Sequence, residues 1–158
     1  MAKKKEKQNT DFLQEASEKL LEQMGTNATV SIEEDKDNEA IMVKISSENE
    51  AGLLIGNRGR TIEALQTILG LIYRRKTDEW KRVLVNIADW REKEESRLQE
   101  LAEQAASRAI ETGEPQQLYN LTPAQRRVVH LTLSEKEEVV TESKGEGRDR
   151  YLEVSPKS

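Results

Sequence analysis

The segment Ala51-Gly52-Leu53-Leu54-Ile55-Gly56-Asn57-Arg58-Gly59-Arg60 constrains this chain more than any other. Gly56 and Gly59 interrupt an apolar stretch just before a run in which Ile62, Leu65, Leu69 and Ile72 share one helical face. Each glycine inside a helix costs on the order of 1 kcal/mol relative to alanine, so one continuous helix through residues 56–59 is disfavoured. The segment predicts a short helix, a glycine-bounded turn and a longer helix. Such a turn can approach a ligand without Cβ clashes, and the helix after it offers free N–H groups and the positive end of its dipole. These are conditions for binding phosphate. Asn57 and Arg58 fall at the tip, and Arg60 falls in the first helical turn, where a cation opposes the dipole and is better explained by an anionic ligand. No Gly-Lys-Ser/Thr follows, which excludes a Walker-type loop. A helix-to-helix turn that merely needs glycine accounts for these four residues about equally well.

The flanking pattern narrows the choice. Asp11 and Gln14 suit a helix start, and Phe12, Ala16, Leu20 and Met24 keep helical spacing until Gly25. Ala28, Val30 and Ile32 alternate with polar residues, as do Ile41, Val43 and Ile45 after the polar turn Glu34 to Asn38, which predicts two strands. Arg82 to Ile87 reads as a third strand. Trp90, Leu98, Leu101, Ala102, Ala105 and Ala109 mark a long helix that stops at Gly113 and Pro115. Thr122-Pro123 opens a shorter helix carrying Arg126-Arg127-Val128-Val129-His130. Val139 to Thr141 and Tyr151 to Val154 read as an antiparallel pair around Lys144-Gly145-Glu146-Gly147. The expected division is a disordered basic tail at residues 1–10, a first module at 11–88 and a second at 89–158.

Composition sets the limits. Hydrophobic and charged residues each make up 35% of 158, with only 3 Tyr, 2 Trp and 1 Phe, which suits two thin modules better than one thick core. With no Cys and 1 His there is no disulfide framework, thiolate nucleophile or ordinary zinc cluster, so no cofactor or metal is expected. No window reaches a membrane span and no secretory signal opens the chain, so a cytoplasmic setting is expected. The net charge of -5 argues against a nucleic-acid partner, but residues 56–82 hold 7 Lys/Arg against 3 Asp/Glu. Screening confines each field to roughly 8–10 Å at physiological salt, so a local positive surface can still attract phosphate. Arg74-Arg75-Lys76 contributes to that block and reads as a solvated helix end, favourable to the dipole.

Helix, strand, strand, Ile55-Gly56-Asn57-Arg58-Gly59, helix, strand resembles a type II KH domain, a module that binds single-stranded RNA. The resemblance implies that Gly56 and Gly59 shape a backbone-clamping loop, that Asn57 and Arg58 face the phosphates, and that Arg60 is a flanking phosphate contact. Ile55 and Ile62 are equally core or floor. The run Arg126-x-x-x-His130, then Val140 to Glu146, then Arg150 to Val154, resembles the Arg-x-x-x-His single-stranded nucleic-acid-binding domain. Arg126 would offer a cation to phosphate, and His130 a ring that stacks or donates a hydrogen bond.

A KH domain followed by that domain is similar to the Jag family of bacterial RNA-binding proteins. The expected fold class is α+β: a three-stranded sheet with helices on one face, then a small α+β domain sharing a long joining helix. The expected partners are single-stranded RNA and a second KH-domain protein, with no membrane and no small-molecule substrate. The expected role is regulation or chaperoning of transcripts without catalysis. His130 as a general base lacks any visible nucleophile or orienting carboxylate. The competing reading is a protein-interaction adaptor that keeps the KH shape with little RNA affinity.

Overall fold

The computed structural model describes residues 1–157 and divides them into two units, with the division between Arg91 and Glu92. The first unit runs α1 (Ala2–Gln23), β1 (Thr29–Asp35), β2 (Ala40–Ser46), α2 (Ala51–Ile55), a 3-10 turn (Asn57–Gly59), α3 (Arg60–Thr77) and β3 (Arg82–Ile87). Its sheet order is β1-β2-β3. β1 and β2 are antiparallel with Val30 opposite Ile45, whereas β2 and β3 are parallel with Val43 opposite Val85. A parallel pair needs a crossover, and α2, the glycine turn and α3 together supply it. Ile41, Val43 and Ile45 of β2 and Val83, Val85 and Ile87 of β3 join Leu13, Leu21, Leu54, Ile62, Leu65, Leu69 and Tyr73 in one core. Burial of each such aliphatic side chain contributes about 1.5–3 kcal/mol.

Helix α1 corrects two expectations. It begins at Ala2, not Asp11, so residues within 1–10 are helical where a disordered tail was expected. Lys, Glu and Gln are good helix formers, and a helix nucleated by its buried turns extends through residues that bury nothing. The Lys5 ammonium also pairs with Glu79 at 3.0 Å. The buried stripe is Leu13, Ser17 and Leu21, one residue on from the expected Phe12, Ala16 and Leu20. Ser17 is only 1% exposed because its hydroxyl donates to the Leu13 carbonyl at 2.7 Å.

The second unit contains most of α4 (Trp90–Thr112), then β4 (Gln116–Leu118), α5 (Pro123–Leu133), β5 (Val139–Lys144) and β6 (Tyr151–Pro156). The sheet order is β4-β6-β5 with both pairings antiparallel. Strand β4 was not expected: its three residues show no alternation, and pairing with β6 makes them a strand. Leu98, Ala102, Ala105, Ala106 and Ala109 of α4 pack with Val129 and Leu133 of α5 and with Val139, Leu152 and Val154 of the sheet. Alanines along α4 let its neighbours approach closely. A capping box opens α5: the Thr122 hydroxyl accepts from the Gln125 amide, and the Gln125 side chain accepts from the Thr122 amide.

Candidate nucleic-acid interface

The turn before α3 is held by left-handed backbone. Gly56 has φ 73° and ψ -179°, Arg58 φ 55° and ψ 32°, and Gly59 φ 75° and ψ 13°. Glycine is needed at both outer positions for space as well as conformation. A Cβ at residue 56 would overlap Thr61, standing 2.8 Å from its Cβ and 2.9 Å from its amide nitrogen. A Cβ at residue 59 would stand 2.5 Å from Cζ2 of Trp90. Arg58 adopts the left-handed region without glycine's freedom, at a cost of roughly 1–2 kcal/mol. That conformation projects its side chain at the apex.

Asn57, Arg58 and Arg60 are exposed, while Gly59 is buried. Among the described residues neither Arg58 nor Arg60 has a carboxylate partner, so both guanidinium groups face solvent at the positive end of α3. Ile62 is a core residue, Ile55 is half-buried against that core, and Leu53 on α2 is exposed beside the turn. The arrangement can cradle an anionic backbone between a close-approach turn and two unneutralised cations, with apolar surface beside it.

In the second unit Arg126 and His130 lie one turn apart on α5. Arg126 is half-buried, and its Nη1 donates to the Leu121 carbonyl at 2.7 Å, so part of the guanidinium braces the segment before α5. Its remaining N–H groups stay available to an acceptor. His130 is exposed, and its Nδ1 shares a 2.5 Å hydrogen bond with the Thr141 hydroxyl on β5. This bond fixes the ring plane and leaves Nε2 without a protein partner among the described residues.

Glu94 has a structural part that its place on a charged helix face did not disclose. It accepts two 2.8 Å hydrogen bonds from Arg97 and one of 2.7 Å from the Gln125 side chain, tying α4 to the start of α5. The Arg97 hydrogen bonds hold its carboxyl below the usual carboxylate range against the opposing effect of burial. Trp90 and Thr61 were likewise missed as the residues against which the glycines pack. Helical spacing assigns Trp90 only to the face of α4. A tryptophan shortly after the third strand is a signal in hindsight, since the sheet brings that position beside the turn. Among the described residues no group of three or more His, Cys, Asp or Glu could hold a metal ion, and no helix is long and apolar enough to cross a membrane.

Two family models match the chain. Residues 10–87 fit the family model described as the KhpA/KhpB KH domain, and residues 96–156 fit the model of the domain named for its Arg-x-x-x-His signature. A KH domain followed by an Arg-x-x-x-His domain defines a class of two-domain α+β chains. RNA-binding protein KhpB of Bacillus subtilis (strain 168) is 32% identical over 140 residues, covering 87% of this chain and 66% of that protein. RNA-binding protein KhpB of Clostridium symbiosum is 29% identical over 140 residues, covering 89% and 63%. The chain belongs to the Jag family, in which these KhpB proteins fall. It spans just under two thirds of the length of these two relatives.

Proposed function

We propose that the chain is a single-stranded RNA-binding protein that regulates or chaperones transcripts in the cytoplasm without catalysis. The observation that carries this reading is the Gly56–Gly59 turn, with exposed Asn57 and Arg58 between two positive-φ glycines at the positive end of α3. The RNA backbone lies across the turn, its phosphates against Arg58, Arg60 and the Asn57 amide, its bases beside Leu53 and Ile55. Arg126 and His130 form the second contact, the remaining guanidinium N–H groups on phosphate and the fixed imidazole on a base or ribose. The relatives' name, RNA-binding protein, supports the reading. Electrophoretic mobility shift with pooled cellular RNA tests it. Retardation at low salt is expected, and no shift at any protein concentration overturns it.

A partner with a KH fold of its own is a second reading, favoured by Ala64 and Ile68, exposed one turn apart on α3. Ile68 is 43% exposed, an apolar surface suited to another helix. Sedimentation of the chain with a purified KH-domain protein tests this contact.

A further inference from the structure

We infer that Trp80, with Arg74 and Arg75, forms another single-stranded RNA contact in the first unit, at the end of α3 opposite the Gly56–Gly59 turn. The inference rests on the reading that the chain binds single-stranded RNA.

Trp80 lies in the short connection between α3 and β3 and is 83% exposed. An indole left in water forgoes a large share of the burial free energy available to it, so the fold itself has no use for it there. The connection that carries it is braced. The Thr77 hydroxyl accepts the Glu79 amide at 3.2 Å, and the Asp78 amide donates to the Arg74 carbonyl at 2.8 Å. On either side of the indole, Glu79 pairs with Lys5 at 3.0 Å and Lys81 with Glu34 at 3.3 Å. These pairs offset Glu79 and Glu34, while Glu6, Asp35 and Glu39 line the hollow beside the indole, so a polyanion has to approach Trp80 from the side of Arg74 and Arg75.

The Arg74 guanidinium carbon sits 4.2 Å from the indole centroid and covers one face of the ring. The high exposure leaves the other face to solvent. Neither Arg74 nor Arg75 has a carboxylate partner among the described residues. An open aromatic face backed by a guanidinium plane, with a second free cation one residue away, stacks any nucleobase and holds the adjoining phosphate. A polyanion complements those free cations, which favours RNA over an apolar protein partner.

Helix α3 has 18 residues and so spans about 27 Å. A strand held at the glycine turn reaches Trp80 only if it runs well past the roughly four nucleotides of a KH cleft. RNA length is therefore the discriminating variable. The test compares oligouridylates of about four and about twenty nucleotides by fluorescence anisotropy on the full chain, on Trp80→Ala and on Arg74→Ala/Arg75→Ala. The expected result is that the affinity gained on lengthening the RNA shrinks by about tenfold in each variant, with the melting temperature held. Trp80→Phe should also abolish the extra indole quenching that long RNA produces over short RNA, since the remaining indole, Trp90, lies beside the glycine turn that both lengths occupy. Wild-type length dependence and quenching in the variants overturn the inference while leaving the RNA reading intact. Loss of a bound protein by Trp80→Ala with RNA affinity unaltered overturns it in favour of a protein-docking surface. A wild-type chain that binds neither RNA overturns both readings.

Discussion

The indole of Trp90 closes over Gly59 so tightly that a Cβ at residue 59 would stand 2.5 Å from its Cζ2 and 2.7 Å from its Cη2. Gly59 also has φ 75°, a conformation that L side chains rarely adopt. Gly59→Ala should therefore destabilise the chain by about 1–3 kcal/mol through strain and overpacking together. Part of that cost should vanish in a Trp90→Leu background, where the clash is gone and only the φ penalty remains. A double-mutant cycle from urea unfolding measures the coupling, and strict additivity would show that the ring does not constrain the turn.

Asn57→Asp with Arg58→Asp puts two carboxylates at the apex and leaves both glycines unchanged. Aspartate tolerates left-handed backbone better than most residues, and both positions are exposed, so stability should move by only about 0.5 kcal/mol. RNA affinity should collapse. Normal RNA binding by a folded double variant removes the turn from the interface.

Affinity should fall with salt although the chain carries a net charge of -5. Each phosphate contact on a single strand contributes a log–log slope of about -0.7, so Arg58, Arg60, Arg126 and one or two further cations give about -2 to -4. Titrations at several potassium chloride concentrations yield the slope. A flat line would assign the binding to bases or apolar surface.

The carboxyl of Glu94 is depressed in the folded state, chiefly by Arg97, and its side chain is 16% exposed. A group whose folded pKa lies below its unfolded value binds fewer protons in the native state, so its stabilisation is complete above the unfolded value. It is lost as pH falls through the folded value. Glu94→Gln should thus be less stable than wild type near neutrality, and the gap should close in the acid range. Urea midpoints of the two proteins across pH give the comparison, and a gap independent of pH would mean that the ionised carboxylate contributes nothing.

What the sequence disclosed and what it hid follow from the range of the forces involved. The glycine turn was legible because a positive φ leaves its mark locally, in residue type. Strands β1 and β2 were legible because their apolar residues alternate, and β3, buried from Val83 to Ile87, because it is a short run rich in β-branched residues. The register of α1 was not, since a serine reads as polar, and only the bond from its hydroxyl to the Leu13 carbonyl makes burial of Ser17 tolerable. Strand β4 was hidden because its partner β6 lies far along the chain. Contacts such as Trp90 on Gly59 are likewise non-local and depend on the crossover that returns β3 to the sheet. The part of Arg126 in bracing the Leu121 carbonyl was hidden for a related reason: the motif specifies a cation, not the acceptor it finds.

The brevity of β4 bears on how the protein behaves when crowded. An exposed sheet margin invites another chain to add a strand, the first step toward aggregation. Here one margin of the second sheet is only the three residues Gln116–Leu118. In the first sheet, β1 ends in Glu33-Glu34-Asp35, and the Val85 amide of β3 is occupied by the Gln66 side chain at 3.1 Å. Short, charged or occupied margins disfavour pairing between copies, which leaves β5 (Val139–Lys144), with Val140 exposed, as the longer open margin of the second sheet.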